Sequence, residues 1–125
     1  MYDVAIIGAG IHGTSIAYEL NKEGKKVLLL DTKGIGAGGS GAAGAFISPK
    51  FSKGGELKEI IDKAFAYSMD FYEKNFPNVF SKITLVHTQQ DDSQTFKIKA
   101  GIVNALAMCN ALAESIELIN EEVNT

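Results

Sequence analysis

Residues 3–31 read DVAIIGAGIHGTSIAYELNKEGKKVLLLD, and the order of turn and periodicity within them decides the fold. Tyr2 to Ile7 is β-rich and apolar apart from Asp3, the pattern of a short strand buried on both faces of a parallel sheet. Gly8, Gly10 and Gly13 break that pattern. Ile11, Ile16, Ala17 and Leu20 then recur at helical spacing up to Glu23, and Gly24 stands where a helix closes on a residue of positive φ. Val27 to Leu30 reads as a second buried strand, closed by Asp31. Strand, glycine turn, helix and strand make a βαβ unit.

Gly8-Ala9-Gly10-Ile11-His12-Gly13 matches G-x-G-x-x-G in the context that gives the motif meaning: a strand before, a helix after, and an acid, Asp31, twenty-three residues beyond Gly8. Gly8 allows the tight turn, Gly10 lets the backbone approach a pyrophosphate, and Gly13 lets the helix pack closely on the sheet. Unpaired N–H groups at the helix start, aided by the helix dipole, hold a diphosphate. Asp31 accepts from ribose hydroxyls and repels a 2′-phosphate, which disfavours NADP. FAD and NAD share the ADP half, so the fingerprint alone leaves both open. The next segment favours FAD. Gly36 to Gly44 is a second loop of small residues running into Ala45-Phe46-Ile47-Ser48-Pro49-Lys50, suited to lie against a pyrophosphate and a flat ring.

Composition narrows the setting. The 125 residues, 46% apolar and 22% charged, fit one modest domain and leave no room for a second of ordinary size. All twelve basic residues are Lys, so anions must be held by backbone N–H groups, Lys or hydroxyls, without a guanidinium fork. At a net charge of −3 the chain lacks the footprint of a self-sufficient nucleic-acid binder. One cysteine, Cys109, excludes an internal disulfide and offers too few thiols for a zinc or iron–sulfur site. The N-terminus does not read as a signal peptide, and no apolar run approaches the roughly 20 residues of a membrane span. A soluble cytoplasmic protein is expected.

Beyond Asp31, Thr32 to Gly44 holds six of the thirteen glycines and cannot build a core. Ala45 to Ser48 is extended before Pro49. Leu57, Ile60, Ile61, Ala64, Phe65, Ser68, Phe71 and Tyr72 trace the face of the longest helix, which Pro77 ends. Lys82 to His87 and Thr95 to Lys99 suit an antiparallel pair around a polar turn, and a last amphipathic helix is expected from about Ile102 to Glu121. The fold class is therefore α/β: a Rossmann-like βαβ unit with parallel strands, a long helix after the second glycine-rich loop, a short β-hairpin and a C-terminal helix. Residues 1–125 are expected to form a single domain.

Several chemistry-bearing residues have plainer readings. His12 sits at an x position of the fingerprint and suits a surface residue at the helix start. His87, at the polar turn, has no carboxylate or Cys nearby in sequence, so neither a triad nor a metal site is supported. Cys109 reads as a packed small hydrophobe. Phe65, Tyr67, Phe71, Tyr72 and Phe76, at helical spacing, read as core. Lys50 and Lys53 read as a solvated loop, and Asp91-Asp92 as a turn. No metal site and no catalytic acid or base is assigned.

The pattern of residues 3–31 followed by GIGAGGSGAAGAFISPK resembles the N-terminus of the D-amino-acid oxidase and glycine oxidase superfamily of FAD-dependent oxidoreductases. Within it, GSGAAGAFISPKFS and the helix containing AFAYSMDFYEKNF look most like the oxidoreductase domain of the MnmC family, bifunctional enzymes of tRNA wobble-uridine modification. The resemblance implies FAD as cofactor and oxidation of a C–N bond, in the MnmC case that of a carboxymethylaminomethyl group on uridine. Carried over by position, Gly8, Gly10, Ile11, His12 and Gly13 would hold the diphosphate, and Asp31 with Thr32 the adenosine ribose. Gly39, Ser40, Ala43, Gly44, Ala45 and Phe46 would lie along the diphosphate, ribityl chain and flavin. Ala100 to Ala105 resembles the family's G-x-V-N-P segment, with Ala105 where Pro is common.

Family members run to several hundred residues, with later sheet strands, a large substrate domain and a C-terminal flavin loop. The chain is thus expected to be a truncated, internally shortened FAD-binding domain in which residues 81–99 are a remnant of the substrate-domain strands. Contact with tRNA is expected only of a longer parent protein. Two alternatives stand beside this reading: a catalytically inert module that needs another chain, or self-association, to cover its sheet edge, and an NAD-binding Rossmann fragment.

Overall fold

The computed structural model describes residues 1–49, 54–88 and 94–124. Its elements run β1 (Val4–Ile7), α1 (Ile11–Lys22), β2 (Val27–Leu30), α2 (Gly39–Ala42), β3 (Ala45–Ile47), α3 (Glu56–Asn75), β4 (Phe80–Thr88), β5 (Thr95–Val103), α4 (Ala105–Leu112) and β6 (Glu117–Ile119). They divide into two compact units: Met1–Gly44 with Asn104–Thr125, and Ala45–Val103.

The first unit is built on a parallel sheet of order β1-β2-β6, in which Val4 pairs with Val27 and Leu28 with Glu117. Ala17 of α1, Val27 and Leu29 of β2 and Ala113 form its buried core, with Ile6, Leu20, Ile35, Ile116 and Leu118 packed around them. Helix α1 closes as its sequence foretells. Gly24 has φ +80°, its amide donates to Asn21 O and the Lys25 amide donates to Leu20 O, the two bonds of a Schellman motif. Strand β1 departs from the expectation of burial on both faces. Ile6 packs inward while Ile7 is 67% exposed, because β1 lies at the sheet's edge and the core covers one face.

The C-terminal helix expected over 102–121 is a correction. Ile102 belongs to β5, the helix spans only Ala105–Leu112, and Glu117–Ile119 forms the third parallel strand, so the chain carries a later sheet strand after all. Asn104 sets the start, its Oδ1 accepting from the Ala107 amide at 3.0 Å. Leu112, Ile116 and Ile119 suit helical spacing, but the open edge of β2 offers backbone partners that a longer helix would forgo.

The second unit is an antiparallel sheet of order β3-β5-β4, with Phe46 opposite Ile102 and Phe80 opposite Val103, accompanied by α3. The hairpin strands are longer than 82–87 and 95–99, reaching Phe80–Thr88 and Thr95–Val103. His87 lies on β4 opposite Phe96 rather than in a turn. Gly101 lets β5 pass under Phe80, since a Cβ there would meet that ring at 2.4 Å. Helix α3 has the expected span, but no residue of it is fully buried. Its aromatic residues form a surface ladder: Tyr67 stacks on Phe71 at 5.6 Å, Phe71 meets Phe76 at 5.8 Å, and Tyr72 meets Phe80 of β4 at 6.2 Å. Tyr67, like Leu57 and Ile60, stays open to solvent, so its reading as core is corrected, while Phe65, Phe71, Tyr72 and Phe76 are half-buried: a three-stranded sheet offers too little surface to cover five helical turns.

Candidate functional site

The site is built where β1 ends. Gly8 turns at φ +102° while its amide continues the ladder to Leu30 O at 2.7 Å. Helix α1 starts at Ile11 so close to this turn that a Cβ on Gly13 would lie 1.9 Å from the Gly8 carbonyl oxygen. Only glycine fits there. Thr14, fully buried and not singled out by sequence reasoning, donates its hydroxyl to Gly10 O at 2.9 Å and fastens the first helical turn. Its place directly after the last fingerprint glycine was the available signal.

Asp31 ties this turn to the loop after β2. One carboxylate oxygen accepts from the Ala9 amide at 2.9 Å, and the other accepts from the amides of Lys33 at 2.8 Å and Gly34 at 3.0 Å. Those amides, the Ala9 amide foremost, hold its carboxyl below the usual carboxylate range. The Gly36 amide donates to Ala9 O at 2.8 Å, and the Ile11 amide donates to Ser40 Oγ at 3.0 Å. Two glycine loops, far apart in sequence, are thereby stitched together.

The second loop repeats the first. Residues 8–13 read GAGIHG and residues 36–41 read GAGGSG. Gly36 turns at φ +65°, and a Cβ on Gly41 would fall 2.1 Å from the Gly36 carbonyl oxygen, the same close approach as Gly13 makes to Gly8. Helix α4 backs this turn, with Leu106 Cδ1 2.9 Å and Cys109 Cβ 3.4 Å from where a Gly36 Cβ would stand. Burial pushes the Cys109 thiol up, only partly opposed by a hydrogen bond with Thr14, which suits its packed setting.

Of the residues selected from sequence, Gly8, Gly10, Ile11, Gly13, Asp31 and Ser40 converge. His12, Thr32, Gly39, Ala43 and Gly44 are exposed in the same unit, while Ala45 and Phe46 lie on β3 of the second unit. Lys50, Lys53, Asp91 and Asp92 lie outside the described residues. Among the described residues no group of three or more His, Cys, Asp or Glu side chains is placed to hold a metal, and no helix is long and apolar enough to cross a membrane.

The convergent set fits a dinucleotide diphosphate. The amides of His12 and Gly13 have no acceptor among the described residues, no side chain caps α1 from its own N-cap residue Gly10, and a carboxylate stands at the end of β2.

The model of the FAD-dependent oxidoreductase family DAO matches residues 3–122. The MnmC bifunctional protein of tRNA 5-methylaminomethyl-2-thiouridine biosynthesis from Leptospira interrogans is 35% identical over 103 residues, which is 81% of this chain and 16% of that protein. Glycine oxidase of Bacillus licheniformis is 44% identical over 46 residues, 37% of this chain and 12% of that enzyme. The crystal structure of glycine oxidase from Geobacillus kaustophilus superposes with a TM-score of 0.70 at 20% identity, covering 94% of this chain and 45% of that one, so the fold is shared. The chain spans about one sixth of the MnmC relative and less than half of the glycine oxidase structure. With nearly its whole length matched by the family model, the chain belongs to the DAO family of FAD-dependent oxidoreductases.

Proposed function

We propose that this chain is the FAD-binding portion of an oxidoreductase that oxidises the C–N bond of an amine or amino-acid-like group, with carboxymethylaminomethyl-uridine in tRNA as the specific substrate. The observation that carries the reading is the stitching of two G-A-G-x-x-G turns through Asp31 and Ser40 at the start of α1. In this reading Gly8, Gly10, Ile11, His12 and Gly13 surround the diphosphate, and Asp31 and Thr32 receive the adenosine ribose. Asp31, held ionised, keeps acceptor capacity for ribose hydroxyls beyond its three amides. Gly39, Ser40, Ala43, Gly44, Ala45 and Phe46 follow the diphosphate, ribityl chain and flavin. The bound flavin supplies the two-electron acceptor for the C–N bond. The protein's own part is to bind and orient, and residues 81–99 represent shortened substrate-domain strands. The MnmC likeness supports the tRNA substrate, and the glycine oxidase likeness supports amine oxidation in general.

Titration of the purified chain with FAD, followed by flavin fluorescence and thermal unfolding, tests the site. Saturable binding with a raised melting temperature is expected. Tighter binding of NADH than of FAD would overturn the assignment. If FAD binds, reduction of the bound flavin by small secondary amines tests the general oxidation, and the tRNA substrate is tested on a longer parent protein that contains this chain.

A second reading, a module completed by self-association or by another chain, is favoured by one feature. Leu57, Ile60 and Tyr67 of α3 and Phe46 of β3 are each more than 60% exposed. Sedimentation as a compact monomer at high concentration would sink it.

A further inference from the structure

The long hairpin of the second unit carries a charged face outside the glycine turns. Side chains alternate across a strand, so Lys82 and Thr84 of β4 and Lys97 and Lys99 of β5 share one face, with Thr84 directly opposite Lys99 and Lys82 opposite Gly101. Helix α3 covers one end of this face: a Cβ on Gly101 would meet Met69 Sδ of α3 at 3.0 Å and the Phe80 ring at 2.4 Å. Beside Met69 opens a cavity of about 300 Å³, lined by Met69, Lys82, Ile83, Thr84, Lys99 and Ala100. No acid lines it. The Lys99 ammonium and the Thr84 hydroxyl have no partner among the described residues. Lys82 is held by Glu73 of α3, Oε1 to Nζ 2.6 Å, but both side chains are more than half exposed, the setting in which an ion pair is worth little and yields to another anion.

The face runs against the charge of the whole. The chain has fifteen acids and twelve lysines, yet β4 and β5 hold three lysines and no acid. A bed for a helix calls for apolar side chains, which Phe80 and Met69 supply, and gives no reason for ammonium groups beside them. We propose that the cavity is a phosphate site separate from the glycine turns, in which Lys99 and Thr84 bind phosphate oxygens and Lys82, released from Glu73, closes on the same group. Lysine serves such a ligand as a point charge, and the threonine hydroxyl adds a directed donor. The volume lies at the low end of small-molecule sites, enough for a phosphate with a sugar-sized group attached. Lys97, on the same face two residues from Lys99 and outside the cavity, extends the positive track toward a second phosphate. The shared chemistry is that of a phosphate group, supplied either by the backbone of RNA or by a small free phosphate. A net charge of −3 argues against a broad electrostatic footprint, but a site of two lysines and a hydroxyl does not need one. The inference goes beyond the FAD assignment and does not depend on it.

The test follows the backbone amide resonances of the whole chain during titration with inorganic phosphate at fixed ionic strength, then with a short oligouridylate. Saturable shifts centred on Ile83, Thr84, Lys99 and Ala100 are expected. Lys99→Ala should weaken phosphate binding about tenfold, and Lys99→Arg, which keeps the charge, should retain most of the affinity. Glu73→Gln should tighten binding about threefold by freeing Lys82, a gain that a purely structural ion pair would not produce. The wild-type shifts and the Glu73→Gln gain decide the matter even if the alanine variant folds poorly. Tighter binding of the oligouridylate, with a log–log salt slope that falls by about 0.7 in Lys99→Ala, identifies RNA as the source of the phosphate, whereas no gain over inorganic phosphate identifies a free one. Shifts that rise without saturation, equal affinity in wild type and a folded Lys99→Ala, or no gain in a folded Glu73→Gln overturn the site. Signals of residues 8–13 report on the glycine turn separately, so failure of the FAD reading and failure of the hairpin site are told apart.

Discussion

At the scale of single residues, Gly13 and Asp31 carry different burdens in one turn. Gly13→Ala would put a methyl carbon 1.9 Å from the Gly8 carbonyl oxygen, and backbone cannot yield as a flexible side chain can. Moving α1 off β1 to relieve the overlap should cost about 2–3 kcal/mol, read as a lower urea midpoint at unchanged m-value. Asp31 contributes through charge. Its carboxyl is lowered from the ordinary 3.8 by the amides of Ala9, Lys33 and Gly34 and by the Lys33 charge, so folding is favoured by its ionised form. That contribution is intact at neutral pH, begins to fade as pH falls below about 3.8, and is gone below the lowered folded value. The stability difference between wild type and Asp31→Asn, followed by denaturation from pH 7 to pH 2, should therefore be flat at first and then shrink; a difference that grows on acidification would contradict the hydrogen-bond geometry. Both residues were legible in sequence because the fingerprint assigns each a mechanical task. Ser40 was legible only as one member of a small-residue loop. That it reaches Ile11 depends on a fold-back that no local pattern encodes.

At the scale of elements, success and failure of the sequence reading share one cause. Helix α1 is announced by a glycine turn, a 3.6-residue apolar repeat and Gly24, three signals that agree. The segment after Val103 gives conflicting ones. Its apolar positions fit a helix as far as Ile119, yet β2 has a free edge, and pairing Leu28 to Leu30 with Glu117 to Ile119 satisfies backbone groups on both strands. Tertiary partners thus decide a boundary that periodicity leaves undecided. The short helix α4 then depends on its start. Asn104→Ala removes the side-chain acceptor for the Ala107 amide and should cost roughly 1 kcal/mol, with Asn104→Ser or Asn104→Asp recovering most of it in the same thermal melt. The second G-A-G-x-x-G turn was present letter for letter in the sequence. It carries no local sign of a helix start, because no strand directly precedes it and its helix is only four residues long.

At the scale of the molecule, the residues that converge in the candidate site all fall in one of the two units. The glycine turns, Asp31 and Ser40 belong to Met1–Gly44, and the helix that backs the second turn belongs to the returning segment Asn104–Thr125. Ala45 and Phe46 belong to the unit Ala45–Val103, whose sheet is held by the long pairing of β4 with β5. A ligand stabilises only those openings that destroy its site, by about 2.7 kcal/mol at a free concentration one hundred times its dissociation constant. If the two units open independently, saturating FAD should slow amide exchange about a hundredfold in β1, α1, β2 and β6 while leaving the middle of β4 and β5 near their free rates. Uniform slowing across both sheets would instead mean that the chain opens as one cooperative body. In that case the exposed apolar residues of α3 could not be attributed to a separately unfolding unit, and the search for whatever covers them would turn to contacts made by the intact protein.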